Sequence, residues 1–258
     1  MLVARKLIVE RGGKTILSSI DFKAEPGQLI GILGPSGSGK STLLMALNGF
    51  RPAKAGVVTL DGQNLIENFE ALKANIGYVP QDDIVPTALK VERVLEYAAE
   101  LRLPDVEPDG RRARVASVIR LLDLADRKDV RVGSLSGGQR KRVSVGVELL
   151  AEPRLLFADE PTSGLDPALE RSLTEAFRKL ATGDRMVIVT THIMTSLSIY
   201  DRLCVVVGGR LAFFGPPDQL KPYFGVEDYA DIYTKLSDKE PRKWHDEFQS
   251  SPLARFLS

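Results

Sequence analysis

Cysteine, histidine and tryptophan are nearly missing from this sequence: one, two and one residues respectively in a chain of 258. The single thiol, Cys204, excludes an internal disulfide and a multi-thiolate zinc site. It lies in the apolar run Leu203-Cys204-Val205-Val206-Val207, where a free cysteine behaves as a small buried hydrophobe. His192 and His245 are far apart and have no zinc-ligand spacing. An excess of one charge sign is also lacking. Lys and Arg total 35 against 34 Asp and Glu, a net charge of +1, so no general field draws nucleic acid. The local basic run Arg140-Lys141-Arg142 is expected to be a solvated helix face. No apolar stretch approaches the roughly 18 residues needed to span a bilayer, and the first residues do not read as a signal peptide. With 43% hydrophobic and 27% charged residues, the composition predicts a soluble globular unit with a buried core.

What is present is an alternation of strand-like and helix-like segments. Residues 2–9 and 15–22 read as strands around Gly12-Gly13, and 28–33 as an apolar strand suited to the middle of a sheet. A helix is expected over 41–48, with short strands over 57–60 and 76–79. From 83 to 150 the character changes. Val91, Leu95, Ala98, Ala99 and Arg102, then Val115, Val118, Ile119 and Leu122, repeat at helical spacing and predict an inserted helical lobe. The α/β pattern returns with a strand over 154–158, a helix over 168–180 and a strand over 186–190. A hairpin is expected to turn at Gly208-Gly209. There is no internal repeat.

Between the strand ending at Leu33 and the next helix stands Gly34-Pro35-Ser36-Gly37-Ser38-Gly39-Lys40-Ser41, followed by Thr42. This is the Gly-x4-Gly-Lys-Ser phosphate loop in its required strand-to-helix setting. Glycines let backbone N–H groups turn toward phosphate oxygens, and the helix start adds its positive end. Lys40 then reaches the β- and γ-phosphates, and the Ser41 hydroxyl holds Mg²⁺. The strand 155–158 ends in Asp159-Glu160. Asp159 suits a metal ligand or an acceptor for metal-bound water, and Glu160 is placed to orient or deprotonate an attacking water. Gln81, after strand 76–79, either contacts the metal or its water or is a surface glutamine. His192, after strand 186–190, either hydrogen-bonds a γ-phosphate or is a surface histidine. Leu135-Ser136-Gly137-Gly138-Gln139 makes a second anion-binding helix start. Two phosphate-type sites with one acid cluster serve one nucleotide if two copies pair head to tail.

Taken in order, the phosphate loop, Gln81, segment 135–139, Asp159-Glu160, Ser163-Gly164-Leu165-Asp166 and His192 resemble the nucleotide-binding domain of ATP-binding-cassette (ABC) proteins. The resemblance covers residues 2–225. It implies an α/β fold: a P-loop NTPase-type core with an antiparallel β-subdomain and an inserted helical subdomain. It also implies a sandwich dimer holding two ATPs, each between the phosphate loop of one copy and segment 135–139 of the other. On the same ground, Glu160 corresponds to the catalytic carboxylate, His192 to the γ-phosphate sensor and Asp166 to a dimer-facing aspartate. Gln81 becomes a ligand of the metal or its water. Where many members stack an aromatic ring on adenine, this chain reads Val9-Glu10-Arg11-Gly12-Gly13, leaving Arg11 as a guanidinium for the base.

Residues 97–104, 143–150 and 208–215, with Asp201-Arg202-Leu203 and Tyr223-Phe224-Gly225, are similar to the ABCG, or White, branch. That likeness implies an exporter's ATPase at the cytoplasmic face of a membrane. Its partners are a transmembrane domain, in the same or a partner chain, and a second copy; no nucleic acid is expected. The alternatives are a soluble ABC ATPase of DNA repair or translation, or a low-turnover ATP-dependent switch. The former normally carry a long coiled coil, a zinc insert or a second cassette, none of which this sequence contains. The expected division is a nucleotide-binding domain over 1–225, with its helical part over 83–150, and a helical extension over 226–258. In that extension Trp244 and Phe248 stand one helical turn apart, as in a helix packed on the domain or a lead-in to a membrane segment.

Overall fold

A computed structural model describes residues 1–257. The chain opens with β1 (Leu2–Arg11) and β2 (Lys14–Ala24), paired antiparallel across Gly12 and Gly13. Both turn glycines have positive φ, +54° and +75°, which a two-residue hairpin of this hand requires. Next come β3 (Leu29–Leu33), α1 (Lys40–Leu47), β4 (Ala55–Leu60) and β5 (Gln63–Asn64). β1, β2, β4 and β5 form an antiparallel sheet in the order β2-β1-β4-β5.

A single helical turn, α2 (Phe69–Leu72), leads to β6 (Ile76–Val79), which spans the residues expected. Three helices follow before the next strand: α3 (Val91–Arg102), α4 (Pro108–Leu121) and α5 (Gly137–Leu149). Then come β7 (Leu155–Ala158), α6 (Pro167–Leu180), β8 (Met186–Thr190), β9 (Arg202–Val207) and β10 (Arg210–Gly215). The last helices are α7 (Leu220–Phe224), α8 (Asp231–Leu236) and α9 (Pro241–Ser250). The second sheet runs β10-β9-β3-β8-β7-β6, parallel throughout except for the β9–β10 hairpin.

Every residue of β3, β7 and β8 is buried. This is why those strands read as continuous apolar runs with no alternation: both faces of a parallel sheet are covered. Ile30, Ile32, Phe157 and Ile188 join the cluster between the two sheets, while Leu29, Leu33, Leu156 and Val187 face the helices. Phe22 of β2 meets Phe214 of β10 edge to face at 5.7 Å, joining one sheet to the other. Trp244 and Phe248 of α9 are both buried, and α9 packs along β10.

The basic run of α5 corrects an expectation. Lys141 is buried: its Nζ lies 2.9 Å from Asp83 Oδ1 and donates to the carbonyl oxygens of Gln81 at 2.7 Å and Pro80 at 3.2 Å. Arg142 donates to Ser172 Oγ at 2.7 Å and to the Leu122 carbonyl at 3.2 Å. These are internal struts, not a solvated face, because α5 is packed by α3, α4, α6 and β6 at once. α5 also begins two residues before the expected Gln139, since Ser136 is its N-cap.

Gly146 shows how closely α5 is packed. A Cβ there would stand 3.1 Å from Leu122 Cδ1, 3.1 Å from Leu95 Cδ2 and 3.2 Å from Val118 Cγ1. Gly146→Val must therefore push three buried side chains apart. It is expected to lower stability by about 1–3 kcal/mol, seen as a lower urea midpoint at unchanged slope.

Candidate functional site

The parallel pairing brings three strand ends to one level. Ile32 pairs with Thr190, Val189 with Ala158, and Ala158 with Val79. The phosphate loop, Asp159-Glu160 and His192 all leave the sheet at its carboxyl edge, where α/β sheets form their binding crevice.

The loop after β3 can be built only with glycine at its key bends. Gly34 has φ +154°, and a Cβ there would lie 2.2 Å from the Val206 carbonyl oxygen and 2.5 Å from Ser38 Oγ. Gly39, at φ +105°, would collide with Leu17 at 2.8 Å. Gly37 has φ +75° and open space where a side chain would point. Lys40, the first residue of α1, is buried with its Nζ turned back into the loop, donating to the carbonyls of Gly34 at 3.0 Å and Pro35 at 3.2 Å.

Asp159 is the meeting point of three elements. Its Oδ1 accepts from Ser41 Oγ of α1 at 3.0 Å and from Thr190 Oγ1 of β8 at 2.6 Å. Thr190 Oγ1 in turn accepts the Glu160 N–H at 2.8 Å. Nearby, burial first and then the Asp159 charge push the Tyr78 phenol up to about 12.

Glu160 adopts φ +42°, a region non-glycine residues rarely enter. The bend places its carboxylate between two cationic or hydrogen-bonding groups. Oε1 lies 3.5 Å from Lys40 Nζ and Oε2 3.3 Å from His192 Nδ1. A cleft of about 370 Å³ is lined by Ser36, Gly37, Gly39, Lys40, Ser41 and Thr42 of the loop and α1 start, with Gln81, Glu160 and Ile16. Gln81 is exposed, and Lys141 holds its carbonyl.

Other expected residues lie elsewhere. Ser136 and Gln139 cap α5 reciprocally: Gln139 N donates to Ser136 Oγ at 3.3 Å, and Ser136 N to Gln139 Oε1 at 3.2 Å. Neither they nor Gly137 and Gly138 line the cleft. Gly137 sits against Leu165, within 3.1 Å of where its Cβ would be. Asp166 is exposed and caps α6, accepting from the N–H groups of Ala168 and Leu169 at 3.0 Å each. Arg11 is exposed beside the β1–β2 turn and is not part of the cleft wall, whereas Ile16 of β2 is. Thr190 and Ile16 were missed by sequence reasoning. A hydroxyl ending the apolar strand Met186-Val187-Ile188-Val189 was a readable signal for Thr190. Ile16 gave none, since one apolar residue in a strand looks like any other.

Comparison with known proteins gives the family and the fold. The ABC transporter family profile matches residues 17–163. An ABC transporter ATP-binding/permease protein of Mycobacterium tuberculosis is 47% identical over 88% of this chain and 26% of its own length. ABC transporter G family member 6 of Arabidopsis thaliana is 40% identical over 82% of this chain and 30% of its own. The chain thus spans about a quarter to a third of these curated relatives. Among solved structures, cbiO1 of Clostridium perfringens, part of the cbiONQ ABC transporter complex, superposes with a TM-score of 0.79 at 27% identity, over 95% of this chain and 98% of that one. With the P-loop core, the helical insertion and the phosphate loop facing an acid pair, this chain belongs to the ABC transporter family, as an ATP-binding and ATP-hydrolysing module similar to those of the G branch.

Proposed function

We propose that the chain hydrolyses MgATP at sites shared between two copies, and that this turnover powers export across a membrane. The observation carrying the reading is the Glu160 carboxylate, set beside the phosphate loop between Lys40 Nζ and His192 Nδ1. A carboxylate there orients water for in-line attack on a γ-phosphate and takes its proton. Lys40 exchanges its two loop carbonyls for β- and γ-phosphate oxygens. His192 hydrogen-bonds the γ-phosphate, and the backbone amides of residues 34–42 cradle the chain of phosphates. Ile16, on the cleft wall, offers the base an apolar surface, with Arg11 nearby in sequence at the strand turn.

Magnesium suits the donors present. Ser41 Oγ and Asp159 Oδ1 lie 3.0 Å apart, two hard oxygens at the cleft, and Gln81 supplies a third in the same wall. Among the described residues no group of three or more His, Cys, Asp or Glu side chains can hold a metal. The fit is therefore to an ion that keeps waters and takes its other ligands from phosphate. When bound, it neutralises charge on the β- and γ-phosphates.

The exposed Ser136 and Gly137 at the start of α5 present helix N–H groups away from their own cleft. A second copy, head to tail, brings them onto the γ-phosphate of the first. Asp166, exposed at the neighbouring start of α6, lies where one site can sense the other. Those contacts exist only while the γ-phosphate does, so ATP joins the copies and hydrolysis releases them.

Coupling to a membrane domain is supported by an apolar groove between α3 and the segment after β6. Pro80, Ile84, Val85, Tyr97 and Leu101 line it, with about 200 Å³ of space. Ile84 and Leu101 are 76% and 83% exposed, unusual for such side chains unless a partner covers them. We assign the groove to a short helix of a transmembrane domain, in the same or a partner chain. Gln81 connects it to the cleft. No helix among the described residues is long and apolar enough to cross a membrane. The G-branch likeness supports export, a position at the cytoplasmic face, and a division into a nucleotide-binding domain over 1–225, helical over 83–150, and an extension over 226–258.

Lys40→Ala is expected to weaken MgATP binding at least tenfold by calorimetry while circular dichroism stays native; undiminished affinity would falsify the phosphate assignment. Glu160→Gln should reduce turnover by about 10²–10⁴ yet retain ATP. In sedimentation over a concentration series it should show ATP-promoted dimers that an added Ser136→Arg abolishes. An E160Q protein that stays monomeric at high concentration with ATP bound would remove the shared-site mechanism. In an intact transporter, Leu101→Glu should leave MgATP affinity in place and abolish transport; normal flux would show that the groove is not the coupling surface.

A further inference from the structure

Five residues from four separate segments form a run of contacts through the candidate hydrolysis site, and one of them belongs to α8. The Tyr233 hydroxyl donates to the His192 carbonyl oxygen at 3.3 Å. His192 Nδ1 meets Glu160 Oε2 at 3.3 Å, and Glu160 Oε1 meets Lys40 Nζ at 3.5 Å. Lys40 Nζ donates to the Gly34 carbonyl at 3.0 Å, which carries the run into the phosphate loop.

Tyr233 is held where it is by its flanks. Ile232 and Leu236 are buried, and the Leu236 carbonyl accepts the buried Trp244 indole N–H at 3.1 Å. The Tyr233 ring packs against the helix-side core, so its hydroxyl is the part directed at the site. Burial pushes the phenol up to about 12, with a further push from the Glu160 charge. It therefore remains a donor at neutral pH. His192 needs such a donor, because the segment that carries it after β8 has no regular secondary structure to hold its main chain.

We propose that Tyr233 is a positioning residue for ATP hydrolysis: its hydroxyl holds the His192 main chain through that carbonyl and so sets the imidazole against Glu160. The C-terminal extension then completes the hydrolysis site, which is a role beyond covering β10. This rests on the assignment of Glu160 and His192 to hydrolysis above.

Tyr233→Phe keeps the ring packing and deletes only the hydroxyl. Loss of one neutral hydrogen bond predicts a fall in kcat of about fivefold, with KM for MgATP within about twofold and an unchanged thermal midpoint. By NMR hydrogen exchange, the Ile193 amide, which donates to Thr191 Oγ1 at 3.0 Å just after the tethered carbonyl, should exchange about fivefold faster while core amides do not change. In a His192→Ala background, Y233F should have no further effect on kcat, since the two act through one group. Wild-type kcat and wild-type Ile193 exchange in Y233F would overturn the proposal. So would a kcat loss that adds fully to that of H192A, or one that follows a general drop in stability. If the wild-type chain turns over no ATP, the hydrolysis assignments fail instead, and Ile193 exchange by itself decides whether the tether exists.

Discussion

Ile32 pairs with Thr190 and Val189 with Ala158, so β3, β8 and β7 end side by side at one edge of the sheet. Everything else at the site hangs on that register. A strand slipped by one residue would turn the next side chain to the other face, moving Thr190 off Asp159 or Glu160 away from Lys40. The register is secured by burial on both faces, since every residue of the three strands is buried and their apolar side chains are divided between the two cores. This edge of the sheet is therefore held by apolar packing far more than by its own polar contacts.

On that frame the polar groups are satisfied in a fixed sequence. Thr190 Oγ1 accepts the Glu160 N–H and donates its own hydroxyl hydrogen bond to Asp159, which also accepts from the Ser41 hydroxyl. Burying these groups without partners would cost roughly 1–3 kcal/mol each, so the network is built to be complete before any phosphate arrives. Lys40 follows the same rule, with loop carbonyls as its acceptors. Its positive charge faces Glu160 across 3.5 Å.

The start of α5 obeys different physics. Ser136 and Gln139 satisfy one another's backbone N–H groups, which stabilises the helix end in the single chain. Its surface position leaves it outside its own cleft but open to another molecule. The contrast between a finished acid cluster and a displaced phosphate-type helix end is what gives pairing a physical motive. Lys141 adds a link between the two halves, because it anchors the Gln81 carbonyl from within α5.

Residue type and local spacing determined a great deal. The phosphate loop needs glycine at 34 and 39 for steric reasons that any strand-to-helix loop of this kind meets, so its position was readable. The apolar runs ending in Asp159-Glu160 and at Thr190, the hairpin at Gly208-Gly209, and the helical spacing of 91–102 also declared themselves, because each is a short-range pattern. Tertiary structure alone decided the rest. The basic run of α5 was misread as solvated because charge predicts exposure only until a helix is packed on several sides. Ile16 rather than Arg11 lines the cleft, since strand position and not charge set which side chain faces it. Tyr233 carries no local signal at all: it reaches His192, 41 positions earlier, only because two buried neighbours and a tryptophan fix α8 over the sheet edge. Contacts between residues far apart in sequence are set by the sum of the core packing, and no window of sequence contains that sum.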